Sequence, residues 1–90
     1  MKVIIPSPLR PHTRNKAEVS VDGTTVADVL ASLIREYPDL RRSLFSDDGH
    51  IRKFVNVYVN ADDIRHLPKK EQTVLRADDV ISIIPSVAGG

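Results

Sequence analysis

The ninety-residue sequence closes on Gly89-Gly90, and a carboxylate on Gly90 is the group in it best suited to covalent chemistry. Two residues without side chains fit a narrow channel and let an enzyme backbone and a nucleotide come close. A carboxylate is a poor acyl donor until it becomes a mixed anhydride. Attack on the α-phosphate of ATP would release pyrophosphate and give an acyl-adenylate. A sulfur nucleophile would then displace AMP and leave a thiocarboxylate. On this reading the chain supplies the carboxylate and a docking surface, and a partner enzyme supplies the catalysis. A Gly-Gly ending is roughly a 0.5% coincidence at ordinary glycine usage, and the bland alternative is a frayed, tolerated terminus.

The remaining chemistry-bearing residues form no catalytic set. Cysteine is absent, which excludes disulfides, thiolate metal sites and a cysteine nucleophile. His12, His50 and His66 match no ligand spacing, so no metal is expected. The pairs Asp47-Asp48, Asp62-Asp63 and Asp78-Asp79 sit where turns are predicted, which suits local backbone bonding better than acid–base work. Arg10, His12, Arg14 and Lys16 make a small basic cluster that could meet an acidic partner or a phosphate, or remain a solvated loop. Phe54 and Tyr58 are expected on one face of a strand as an exposed docking patch, with Ile84 and Val87 extending it toward the tail.

Composition bounds the rest. Ninety residues make one small domain, and 41% hydrophobic with 28% charged argues for a globular chain rather than a disordered one. Thirteen basic against twelve acidic residues, net +1, leaves no electrostatic footprint for nucleic acid or an anionic membrane. Four aromatic residues are few for base stacking. The longest apolar run, three residues, is too short for a membrane span or a signal peptide. A cytoplasmic protein, a monomer when free, is expected.

The elements that would position the tail follow from pattern. Lys2–Ile5 reads as a strand, and Pro6, Pro8 and Pro11 turn the next stretch into a loop or sheet edge. Lys16–Val21 alternates, with Ala17, Val19 and Val21 on one face, and Asp22-Gly23 signals a turn. Thr25 and Asp28 resemble a capping box. Val26, Val29, Leu30, Leu33, Ile34 and Tyr37 then form one helical stripe that Pro38 ends. Asp39–Phe45 adds a helical turn or two. Phe54–Asn60 is a strand with Val55, Val57 and Val59 facing the helix, and Asn56 and Asn60 exposed on it. Ala61–Gln72 is irregular, anchored by Leu67 and Pro68. Val80–Ile84 is the last strand, ended by Pro85. One striped helix covers one face of a four- or five-stranded mixed sheet, with the first and last strands parallel at its centre. That is an α+β, β-grasp (ubiquitin-like) domain over residues 1–85, followed by a flexible tail over residues 86–90. Five residues reach at most about 17 Å.

Leu9-Arg10-Pro11-His12-Thr13, Phe54–Asn60 with Asp63-Ile64-Arg65, and Pro85-Ser86-Val87-Ala88-Gly89-Gly90 carry a resemblance over essentially the whole chain. It resembles the ubiquitin-like sulfur-carrier family of the MoaD/ThiS type, most nearly the cysteine-biosynthesis subgroup. The resemblance implies that Gly90 is adenylated and bears the sulfur, with Gly89, Ala88 and Val87 as the tail. It implies no bound cofactor, with ATP and Mg used by an E1-like adenylating/sulfurtransferase enzyme. It implies a pyridoxal-phosphate-dependent cysteine synthase using O-phosphoserine as acceptor, and a JAMM-type metalloprotease that releases the cysteinyl adduct. Some members need trimming beyond Gly-Gly; this sequence is expected to need none. Sulfur delivery to molybdopterin, thiamine or tRNA, and attachment to lysines as a protein modifier, share the same activation and stay open. A plain binding module with a dispensable tail is the reading furthest from these.

Overall fold

The computed structural model describes residues 1–85. The expected tail, including Val87, Ala88, Gly89 and Gly90, lies outside the described residues. The strands are β1 (Lys2–Ile4), β2 (Glu18–Ser20), β3 (Val55–Val59), β4 (Asp62–Asp63) and β5 (Val80–Pro85), and the α-helices are α1 (Val26–Glu36) and α2 (Leu40–Leu44). Short 3-10 helices cover Ser7–Thr13, Ile64–His66 and Lys70–Gln72.

Side-chain alternation makes the sheet. Val3 of β1, Val19 of β2, Val55, Val57 and Val59 of β3, and Ile81 and Ile83 of β5 are all buried. Their strand neighbours Lys2, Glu18, Asn56, Tyr58, Ser82 and Ile84 are half-buried or exposed on the other face. The five strands run in the order β2-β1-β5-β3-β4. β1 pairs parallel with β5, Val3 opposite Ile81, and β5 pairs antiparallel with β3, Ile81 opposite Val59. This is the β-grasp arrangement expected from the sequence, with the first and last strands adjacent at the centre.

Thr25 caps α1 with a complete capping box: its hydroxyl accepts from the Asp28 amide at 3.2 Å, and the Asp28 carboxylate accepts from the Thr25 amide at 3.3 Å. Such a cap stabilises a helix by about 1 kcal/mol. Val26, Val29, Leu30 and Leu33 of α1 join the strand residues in one core, and Tyr37 follows as its buried C-cap. Each of these side chains contributes roughly 1.5–3 kcal/mol by leaving water. The helix ends at Glu36, as Pro38 requires.

Several local expectations need correction. The proline-rich stretch forms a 3-10 helix over Ser7–Thr13 rather than a loop or edge, because Pro8 sits in its first turn, where no amide is needed. Ala17 is exposed, since only Val19 and Val21 reach the core. Asn60 is not a strand residue. It adopts φ 56°, a left-handed turn that Asn tolerates, and its side chain bonds Asp79 and the Val80 amide. Asp62-Asp63 forms β4 after that turn. Pro68 is exposed, and Ile64, 2% exposed, anchors the irregular segment beside half-buried Leu67. Pro85 is the last residue of β5, paired with Val55, one residue beyond the expected Ile84.

Candidate functional site

The parallel pairing of β1 with β5 decides where the described residues end. Both strands point the same way, so β5 reaches its last residue, Pro85, at the end of the sheet where β1 turns off at Pro6. β3 runs the opposite way and begins there, with Val55 opposite Pro85. This end is therefore flanked by the Arg52–Phe54 approach to β3 and by the start of the Ser7–Thr13 helix, which packs on α2.

Phe54 is 52% exposed and Ile84 49% exposed, large apolar surface for so small a domain. Ile84 faces away from the core, opposite Asn56. Tyr58 is half-buried on the same outer face, opposite Ser82. Phe54 is not on β3, which starts at Val55; it projects from the turn just before the strand. The docking patch expected on one strand face is therefore built from two settings, a turn residue at the sheet's end and two sheet-face residues. Val87 lies outside the described residues.

A groove of about 790 Å³ opens at this end, lined by Ser46, His50, Arg52, Lys53, Phe54 and Pro85 among others. The turn at its far end is tied by the Ser46 hydroxyl and the His50 amide, both donating to the Asp48 carboxylate. These bonds, the Ser46 hydroxyl foremost, hold the Asp48 carboxyl below its usual pKa.

Of the expected cationic contacts, half-buried Arg10 donates its Nε to the Ile5 carbonyl at 3.1 Å, so its guanidinium braces the turn after β1. His12 is exposed on the Ser7–Thr13 helix. Neither lines the groove beside Pro85. Thr13, fully buried in the same helix, places its hydroxyl within 3.2 Å of the Arg10 carbonyl and 3.0 Å of the Lys16 carbonyl. No group of three or more His, Cys, Asp or Glu residues among the described residues could hold a metal ion. Among the described residues no helix is long and apolar enough to cross a membrane.

Pattern reading passed over Arg65 as a working residue. Its guanidinium donates to the carbonyls of Lys53 at 2.9 Å and Val55 at 2.8 Å, and to the Asn56 side-chain oxygen at 3.0 Å. It thereby fixes the turn that carries Phe54. The spacing to these partners spans nine to twelve residues, which no helix or strand period signals. Exposed Val74, bridged to Thr25, was passed over as well.

The ThiS family model matches residues 3–90. The sulfur carrier protein CysO of Mycobacterium tuberculosis is 38% identical over 90 residues, covering 98% of this chain and 96% of that protein. Small archaeal modifier protein 3 of Haloferax volcanii is 42% identical over 69 residues, covering 77% of this chain and 73% of that one. The crystal structure of the Amycolatopsis orientalis BexX/CysO complex contains a chain that superposes with a TM-score of 0.87 at 30% identity, covering 99% of this chain and 98% of that one.

Proposed function

The chain belongs to the ThiS family of ubiquitin-like sulfur carriers, and from that membership we propose that it carries sulfur as a thiocarboxylate on Gly90. The single observation that carries this reading is the course of β5. The central strand of the sheet runs to Pro85 at the end of the domain, beside exposed Phe54 and Ile84, and the sequence continues directly into Ser86–Gly90. A rigid launching strand with apolar surface around it suits a domain that docks outside a partner while its tail enters.

The steps assign one role to each participant. The Gly90 carboxylate attacks the α-phosphate of ATP in an E1-like enzyme that also holds Mg, and pyrophosphate leaves. A sulfur nucleophile attacks the acyl carbon; the carbon–oxygen bond of the anhydride breaks, AMP leaves with that oxygen, and a carbon–sulfur bond replaces it. The thiocarboxylate then delivers sulfur to a second enzyme. Likeness to CysO supports a pyridoxal-phosphate-dependent synthase that makes cysteine from O-phosphoserine, with a JAMM-type metalloprotease freeing the product. The chain is a co-substrate throughout, with Val87, Ala88 and Gly89 as the tail residues that precede Gly90. That a relative is described in a BexX/CysO complex supports docking to a partner protein as the working state.

A second reading, attachment of the activated Gly90 to lysine amines, is favoured by likeness to small archaeal modifier protein 3. Intact mass of the protein from its own host, purified without reducing or alkylating treatment, tests both. One oxygen replaced by sulfur, or a cysteine adduct on Gly90, is the expected result. Failure to form the thiocarboxylate with the host's activating enzyme, ATP and a sulfur source would overturn it. Gly-Gly remnants on target lysines after digestion would move the assignment to the modifier.

A further inference from the structure

We propose that Arg41, Arg42, Arg52 and Lys53 form a preset docking rim for an acidic protein surface, the surface bordering the channel that receives the tail; this rests on the carrier reading above.

Place is the first ground. Arg52 and Lys53 line the same groove as Phe54 and Pro85, so the rim is continuous with Pro85, the last described residue before the tail. Arg41 and Arg42 line a neighbouring hollow that shares Ser46 with this groove, and their helix α2 is tied to it by the Arg52 Nε, which donates to the Arg42 carbonyl at 2.7 Å. A partner that admits residues 86–90 must therefore pass close to these cations.

Charge is the second ground. All four side chains are exposed, and among the described residues none has a carboxylate within ion-pair distance; the ion pair present there joins Lys2 and Glu18 at 3.3 Å. The carboxylates nearest in sequence are Asp39, Asp47 and Asp48, and Asp47 lines a hollow with Arg41 and Arg42 without coming within ion-pair distance of them. Asp48 is already engaged by the Ser46 hydroxyl and the His50 amide. The overall charge is only +1, and these four cations make no ion pair among the described residues.

Rigidity is the third. Exposed lysines and arginines are usually mobile, and ordering them opposes binding. Here the backbone beneath Arg52 and Lys53 is held by Arg65, which takes the Lys53 and Val55 carbonyls. The Arg52 guanidinium is itself tied to α2. The cations are thus presented on a frame set before any partner arrives. Opposite charge across such a rim speeds encounter and sets orientation more than it adds affinity. Phe54 beside it supplies the apolar anchor.

The test places a photo-crosslinking benzophenone residue at position 53 of the full chain in its host, and at position 16 as control. The cross-linked protein is then purified, and its association rate is measured with wild type, Lys53→Glu, Arg41→Glu and Lys16→Glu. The expected result is a cross-link from position 53 to an Asp- or Glu-rich peptide. Lys53→Glu and Arg41→Glu each slow association about tenfold at low ionic strength, the gap closing in high salt, and Lys16→Glu changes nothing. A cross-link to RNA or to an acid-poor segment, no cross-link from position 53, or equal loss with Lys16→Glu overturns the proposal. Unchanged melting of the variants separates loss of docking from loss of fold. Thiocarboxylate formation with the two rim variants at the wild-type rate would sink the rim and leave the carrier reading intact. Rim-dependent binding to a protein that neither activates Gly90 nor takes sulfur or product from it would do the reverse.

Discussion

The guanidinium of Arg65 donates to the carbonyl of Val55 at 2.8 Å, and this bond covers the edge of β3 where β4 has ended. β4 pairs only with Tyr58 and Val59. Without Arg65 the first residues of β3 would present unpaired carbonyls to solvent and to other strands. Val55 also faces Pro85 on its other side, so one side chain steadies the strand from which the tail departs.

Replacing Arg65 with Ala is expected to cost about 1.5–3 kcal/mol, the range for hydrogen bonds that involve a charged group. Lysine should restore little, because its point charge cannot reproduce a planar fork that reaches several acceptors. Urea unfolding measures the loss. Hydrogen exchange over residues 52–56 should rise while α1 stays protected.

Gly23 makes a close approach. A Cβ there would stand 2.6 Å from a Val29 methyl and 2.7 Å from the Val29 amide nitrogen. The backbone of α1 cannot step aside without moving its buried face. Gly23→Ala should destabilise by about 1–3 kcal/mol, the usual cost of overpacking. A fall in urea midpoint with an unchanged slope checks it.

Phe54→Ala should leave folding stability within about 0.5 kcal/mol of wild type, since the ring is half in solvent. Leu33→Ala, with a fully buried side chain, should lose about 2–5 kcal/mol. On binding to the activating enzyme the order should reverse: Phe54→Ala weakens it by about tenfold or more, as a truncated anchor does. A calorimetric titration beside a thermal melt distinguishes the two.

Asp79 is held below its ordinary carboxyl pKa of 3.8, first by the Arg76 amide and then by the Asn60 side chain, and Asp48 is lowered likewise. A depressed folded pKa means that the unfolded chain takes up the proton first as pH falls. The stability these bonds contribute is present above about pH 4 and is lost as pH drops through the folded values. Asp79→Asn should flatten the acid limb of stability against pH, read by unfolding between neutral pH and pH 2.

Deleting Gly90 should abolish thiocarboxylate formation and leave the melting temperature unchanged, because no described core residue lies beyond Ile83. Mass spectrometry after incubation with the activating enzyme, ATP and a sulfur source reads the first effect, and a melt the second.

The elements themselves were legible in the chain. The alternation of Val55, Val57 and Val59, the stripe from Val26 to Leu33 and the Thr25–Asp28 box are local, and local periodicity states which face will be buried. The Gly89-Gly90 pair was equally legible, since its chemistry needs no tertiary neighbour. What only the tertiary structure decided is long in range. The pairing of Pro85 with Val55 makes a proline the last residue of a strand expected to stop at Ile84. The reach of Arg65 across nine to twelve residues, the gathering of Arg42 with Arg52, and the placing of Phe54 in a turn instead of on β3 all depend on which backbones meet. A sequence pattern records each residue's preference for core or solvent, whereas hydrogen-bond partners far apart in the chain are chosen only when the sheet closes.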